Sequence, residues 1–255
     1  VGVQSEAHEG EYIIGRIKTA VDMKARQFKD YAILYRTNAQ SRAIEESFIR
    51  YGVPYHIVGG VRFYDRKEIK DLLAYLRMLY QPADRASFLR IVNVPGRGLG
   101  AVSVQKFMDW LAGNGFTIVD ALLQVDQCPG LTPKARAAFG TLGVLLQDMA
   151  NQLDKVSLPL LIDLVLKRTA YQEYLDDGSL QAEERKENVR ELSSVAREYE
   201  ALGLSGFLEE VALISDLDSV DDRADSVTLM TLHAAKGLEF PAVFMIGCEE
   251  SIFPH

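Results

Sequence analysis

A chain of 255 residues with 48% hydrophobic content is long enough for two modest cores, and a formal charge of -8 argues against a generic polyanion binder. No apolar run reaches 18 residues and no basic-then-apolar start is present, which speaks against a membrane span or a signal peptide and for a cytosolic protein. Cys128 and Cys248 stand far apart and outside any metal-ligand spacing, so both read as reduced thiols in packing roles, with no metal site. The charge is uneven along the chain. Residues 1–170 hold 22 Lys and Arg against 17 Asp and Glu, whereas residues 171–226 hold 5 against 16. A mildly basic first two-thirds can bind nucleic acid while the acidic stretch faces solvent.

In chain order, Val1 to Gln4 has strand character, and Glu6 to Lys24 places Ile13, Ile14, Ile17 and Val21 on one helical face. Tyr31 to Tyr35 is a compact strand that runs into Arg36-Thr37-Asn38. A helix follows from about Ala39 with Ile44, Phe48 and Ile49 inward, and Gly52 stops it before a strand over Pro54 to Val58. Asp65 to Tyr80 carries the stripe Ile69, Leu72, Leu73, Leu76 of an amphipathic helix. Beyond Pro82 the pattern is helical, punctuated by Gly and Pro, until Asp216 to Asp225, a polar return linker. Val227 to Leu232 and Ala242 to Ile246 are again apolar strands. The alternation predicts an α/β fold whose parallel sheet comes from both ends of the chain, residues 1–81 and 223–255, with an all-α insertion over 82–222.

Three segments carry candidate chemistry. Arg36, Thr37 and Asn38 follow a strand end, where guanidinium, hydroxyl and amide can bond phosphate oxygens; Asn38 is equally a good helix N-cap. Gly59-Gly60-Val61-Arg62-Phe63-Tyr64 joins a flexible turn to a cation and two aromatics, the means of holding a single strand, or else Phe63 and Tyr64 simply pack on the core. Val94-Pro-Gly-Arg-Gly-Leu-Gly100 is a glycine-rich turn between helices that offers amides to an anion, or a plain αα turn. Pro129 to Lys134 is a weaker hairpin of the same type, and Thr132 as N-cap of an ordinary helix also explains it.

Between the last two strands, His233 to Glu239 forms a loop of small and polar residues with Gly237 where a backbone can approach a phosphate. The run TLHAAKGLEF, the following strand and IFPH closely resemble the fifth motif of the UvrD/PcrA/Rep helicases of superfamily 1. LYRTNAQSR, GGVRFYDRKEIKDLLAYLR and the glycine motif around Arg97 are similar to further segments of that family. The resemblance is strong over residues 31–100 and 227–255 and loose between them. It implies a RecA-like second motor domain with an inserted helical subdomain carrying a helix-hairpin-helix-like motif, from a bacterial, cytoplasmic, ATP-dependent 3′-to-5′ DNA helicase. It further implies that Arg36, Asn38, Arg62, Thr231, His233 and His255 meet single-stranded DNA, with Phe63 added as a stacking candidate on its residue type. Arg97, Gly98 and Gly100 would meet duplex at the junction, and Gly237, Glu239 and Lys236 would face the nucleotide.

No GxxxxGK[ST] occurs in the 255 residues, so the phosphate-cradling loop and its Mg²⁺-holding hydroxyl are expected in a first motor domain of the same protein. ATP and Mg²⁺ then belong to the parent enzyme, and this chain alone is expected to be inactive, with no catalytic residue of its own. Two other readings fit parts of the sequence: a non-enzymatic duplex-binding or interaction module built on the hairpins, and the equivalent region of a helicase–nuclease subunit.

Overall fold

The β-branched and aromatic run Tyr31–Tyr35 forms β1, buried at four of its five residues as a strand covered on both faces must be. Among the described residues it lies in a parallel sheet of four strands in the order β2-β3-β1-β4, with β2 at Tyr55–Val58, β3 at Val227–Thr231 and β4 at Ala242–Met245. This computed structural model describes residues 6–217 and 225–248. The expected strand at Val1 to Gln4 and the IFPH segment with His255 lie outside the described residues, as does most of the expected linker.

Both neighbours of β1 arrive from the far end of the chain. Ile33 is level with Leu229 of β3 on one side and with Phe244 of β4 on the other. Among the described residues β2 pairs only with β3, Ile57 opposite Leu229. The sheet therefore closes only when the C-terminal strands insert around β1; that both chain ends feed one sheet was expected from the sequence, the strand order was not.

Helices α1 (Glu6–Asp22) and α2 (Ser41–Arg50) supply the apolar cover of this unit. Ile13, Ile14 and Ile17 of α1 and Ile44 and Phe48 of α2 join Tyr31, Ile33, Tyr35, Val227, Leu229 and Ile246 in one core. The two helices approach closely at Gly10, where a Cβ would meet the Ser47 hydroxyl, so a small residue is required there.

The remaining helices are α3 (Lys67–Tyr80), α4 (Arg85–Ile91), α5 (Ala101–Asn114), α6 (Ile118–Leu123), α7 (Pro133–Ala150), α8 (Leu158–Arg168), α9 (Tyr171–Leu175), α10 (Ala182–Glu198) and α11 (Gly203–Leu217). Thr117 and Thr132 cap α6 and α7 by accepting from Asp120 N and Ala135 N, and Gly115 ends α5 in the left-handed region. An aromatic stack of Phe88, Phe107 and Phe139 fills their core, with the Phe107 and Phe139 rings 4.7 Å apart.

The chain divides into two compact units, Val1–Arg66 with Glu210–His255, and Lys67–Glu209. The division falls at Lys67 and within α11, whereas the composition shift suggested 82 and 222. Helix α3 groups with the helical unit because its polar side chains are tied there. Asp71, 2% exposed, accepts from Lys67, Arg90 and the Tyr171 hydroxyl at 2.8–2.9 Å, and Asn188 donates to Glu68 at 2.6 Å. Burial opposes the charge on Lys67, but its hydrogen bonds to Tyr174 and Asp71 outweigh that and hold its pKa above the ordinary value. Among the described residues no helix is long and apolar enough to cross a membrane. Cys128 is buried, but Cys248 is exposed and so does not share the packing role expected for both.

Candidate nucleic-acid interface

The strand order decides where a ligand can sit. The connection from β1 leads past β3 to β2, while the connection from β3 leads past β1 to β4, so the two leave in opposite directions. Such a reversal opens a crevice at the carboxyl ends of the two strands. Arg36 follows β1 directly and His233 lies two residues beyond β3. Leu232 N extends the ladder by donating to Tyr35 O at 2.8 Å, and Arg36 Nη1 then reaches His233 Nε2 at 3.1 Å. Two groups 197 positions apart in sequence thus form one polar pair at the crevice.

Arg36 is held from behind by Gln40, whose Oε1 accepts from the backbone N–H groups of Arg36 and Thr37 at 2.9 and 3.1 Å. The Gln40 amide in turn donates to Gly247 O at 3.4 Å. The N-cap here is Thr37, opening a short 3-10 turn over Asn38–Gln40, so the capping role considered for Asn38 belongs to its neighbour. The loop after β2 joins the cluster. A Cβ on Gly60 would lie 3.4 Å from Asn38 Oδ1, and one on Gly59, whose φ is +73°, would lie 3.5 Å from the Ala234 side chain. The positive φ favours glycine at 59, and at 60 an added Cβ would also press on the Ile57 side chain at 3.2 Å.

The other single-strand candidates are placed less uniformly. Arg62 is half-buried, its guanidinium 5.7 Å from the centre of the Tyr55 ring. The Thr231 hydroxyl accepts from Ala234 N at 3.2 Å and shapes the turn that presents His233, which is exposed. Phe63 is a correction. Its ring is fully buried, packed edge-on against Tyr64 with the Arg66 guanidinium 5.1 Å from its centre, so it anchors the turn and offers no face to a base. Lys236, Gly237 and Glu239 are exposed in the β3–β4 loop; Gly237 has φ +90° with nothing within 4 Å of where a Cβ would stand. That open, positive-φ position suits close approach of a phosphate or ribose to the backbone.

Beneath the crevice lies a polar layer that the sequence concealed. Ser41, Arg42, Glu45 and Glu46 of α2 are buried together with Arg66. Arg42 pairs with Glu46 at 3.1 Å, and Glu46 also accepts from the Tyr64 hydroxyl at 2.7 Å. Arg66 donates to Asn38 O, the Ser41 hydroxyl and Val61 O, with Glu45 3.8 Å away. Charges at four-residue spacing on α2 look like a solvated face in the sequence; only the turn after β2, folding over them, makes them interior.

In the helical unit, Arg97 is the second correction. Its guanidinium turns inward to Ile91 O at 2.8 Å and the Tyr75 hydroxyl at 2.6 Å, with longer contacts to the carbonyls of Val92, Val94 and Pro95. It closes the end of α4, satisfying carbonyls that a helix terminus leaves without partners, instead of reaching for a phosphate. Asn93 Oδ1 accepts from Arg97 N and Leu99 N and shapes the same loop. Gly98 has φ +69° and Gly100 is the N-cap of α5, both exposed. Two lysines, Lys106 outside any motif of the sequence and Lys134 at the end of the weaker hairpin, stand at the glycine turns. Lys134 of α7 lies against Gly98, and Lys106 of α5 donates to Gly130 O at 2.8 Å. Each turn thus carries an ammonium from the helix that follows the other.

Comparison with known proteins identifies the family. Residues 1–130 and 138–255 match the model of the UvrD-like helicase C-terminal domain. ATP-dependent DNA helicase PcrA of Bacillus subtilis (strain 168) is 45% identical over 98% of this chain, and PcrA of Staphylococcus aureus (strain NCTC 8325 / PS 47) and of Staphylococcus epidermidis (strain ATCC 12228 / FDA PCI 1200) are each 41% identical over the same share. The chain spans 35% of the length of these relatives. A parallel sheet assembled from both chain ends, a paired arginine and histidine at its switch point and a match along nearly the whole sequence lead to one assignment: the chain belongs to the family of UvrD-like helicase C-terminal domains.

Proposed function

We propose that this chain is the second motor domain, with its helical insertion, of an ATP-dependent DNA helicase that moves 3′-to-5′ along single-stranded DNA. The observation that carries the reading is the Arg36–His233 pair at the crevice, with Asn38 and the Gly59-Gly60 turn beside it. A guanidinium and an imidazole side by side, next to glycines that admit a close backbone, suit successive phosphates of one strand. Arg36, Asn38, Arg62, Thr231 and His233 are the single-strand contacts in this reading. Gly98 and Gly100, joined by Lys106 and Lys134, meet the duplex backbone at the junction, and Lys236, Gly237 and Glu239 face the nucleotide. ATP and Mg²⁺ chemistry requires the first motor domain, since the phosphate-cradling sequence is absent from these 255 residues. ATP closing the cleft between the motor domains would alternate the strength of their strand grips.

The test is binding of the full-length protein to a bare single strand, a 3′-tailed duplex and a blunt duplex, each at two salt concentrations. The tailed junction is expected to bind best, weakening steeply with salt. Arg36→Ala and His233→Ala are each expected to weaken single-strand binding about tenfold, and together by less than the product because the two groups touch. Unchanged affinity and translocation in both variants would overturn the reading. Equal binding of blunt duplex would favour a duplex-binding module instead.

A further inference from the structure

One buried guanidinium touches both loops that flank the crevice. From the loop after β1, Arg66 takes Asn38 O at 2.9 Å, and at the start of α2 the Ser41 hydroxyl at 2.7 Å; from the loop after β2, it takes Val61 O at 3.2 Å. Glu45 completes the tie. One of its oxygens accepts from Phe63 N at 3.0 Å and the other meets the Ser41 hydroxyl. Arg66 is 8% exposed and Glu45 4%, so neither can meet a phosphate from solution. The Phe63 ring lies against the guanidinium, whose orientation is set by these hydrogen bonds.

We infer that Arg66, with Glu45, is a positioning residue for strand binding: it fixes the Asn38 and Gly60–Arg62 segments at one spacing, so that a single strand meets both loops at once. The inference rests on the strand-binding reading above. The guanidinium suits this task because its planar fork directs N–H groups at separate acceptors, whereas an ammonium acts as a point charge. A flexible link of the same strength would leave each loop folded but free to shift against the other. That freedom must then be removed on binding, at the cost of affinity.

The experiment uses the full-length protein and a fluorescent oligothymidylate, with binding measured over a series of salt concentrations and thermal unfolding measured in parallel. Wild type is compared with Arg36→Ala, Arg66→Met, Arg66→Lys, Glu45→Gln and the Arg36→Ala/Arg66→Met double variant. Arg66→Met is expected to bind about tenfold more weakly, the worth of one charge-assisted hydrogen bond. The slope of log affinity against log salt should fall by about 0.7 for each phosphate that the protein no longer engages. Arg66→Lys should not restore either value, and Arg36→Ala should cost less in the Arg66→Met background than alone.

A merely structural role would lower the unfolding temperature while leaving affinity and salt slope of the folded protein at wild-type values, with additive effects. That result overturns the inference. Should Arg66→Met fail to fold, Glu45→Gln keeps the shape but loses the charge facing Arg66, and must itself weaken oligothymidylate binding; wild-type affinity there overturns the inference too. Failure of the underlying reading looks different. Wild type would then not bind the oligonucleotide, or Arg36→Ala would bind as well as wild type.

Discussion

Replacing Arg97 by Ala separates two roles for one side chain. On the geometry, the substitution removes two short charge-assisted hydrogen bonds, to Ile91 O and the Tyr75 hydroxyl, and three longer ones that contribute little. A hydrogen bond to a charged group contributes about 1.5–3 kcal/mol. Arg97 is half-buried, so the lower end applies and the helical unit should lose about 3 kcal/mol. Trp110 is the only tryptophan of the chain and sits in α5, next to the loop, so its fluorescence during urea unfolding reports this unit. With a denaturant slope of about 2 kcal/mol per M, the midpoint should drop by about 1.5 M. Arg97→Lys should recover little, because an ammonium cannot serve separated carbonyls. Duplex binding by the folded variant should keep its salt slope. An unchanged urea midpoint together with a salt slope shallower by about 0.9 would refute the reasoning, since it would put the guanidinium on a phosphate.

Phe63→Ala should cost about 3–5 kcal/mol in stability as a fully buried ring is removed, while Phe63→Leu costs less and leaves single-strand affinity at the wild-type value. Weakened oligonucleotide binding by a stable Phe63→Leu variant would show that the ring reaches the strand after all. Stability should also fall at alkaline pH. Burial first, and then the Asp71 carboxylate, push the Tyr171 pKa well above its ordinary value of 10; burial and then Glu45 do the same to Tyr35, with Arg66 opposing. Above pH 10 the unfolded chain releases these protons while the folded chain retains them, so their contribution is full below pH 10 and is lost as pH rises beyond it. Tyr171→Phe should be less stable at neutral pH by about 1.5–3 kcal/mol, because its hydrogen bond to Asp71 is gone, yet decline less steeply above pH 10 in urea titrations at stepped pH. An unchanged alkaline slope in that variant would sink this account.

Much of the sheet was legible because apolar runs of strand length have few alternatives. β1 occupies the predicted Tyr31 to Tyr35, and the other three strands differ from expectation by a residue at one end. The stripe of α3 was equally plain, since Ile69, Leu72, Leu73 and Leu76 are all buried. Arg36 and His233 were picked out as candidates by motif resemblance. Their pairing was not, because nothing local in the sequence records that β1 and β3 are neighbours. Residue type pointed Phe63 at a base and motif resemblance pointed Arg97 at a phosphate, whereas both turn inward. An aromatic or a cation beside a flexible turn has the same composition whether it faces a ligand or the loop's own carbonyls.

The sequence by itself determined which segments are strands and helices, that both chain ends feed one sheet, and which glycine turns stand at strand or helix ends, because periodicity and backbone chemistry are local properties. Only the tertiary structure decided which charges are interior. Arg42, Glu45, Glu46 and Arg66 acquire their meaning when the turn after β2 closes over α2, and Asp71 when Arg90 and Tyr171 converge on it. The burial of a charge is a property of everything packed around it, and those neighbours come from distant positions in the chain.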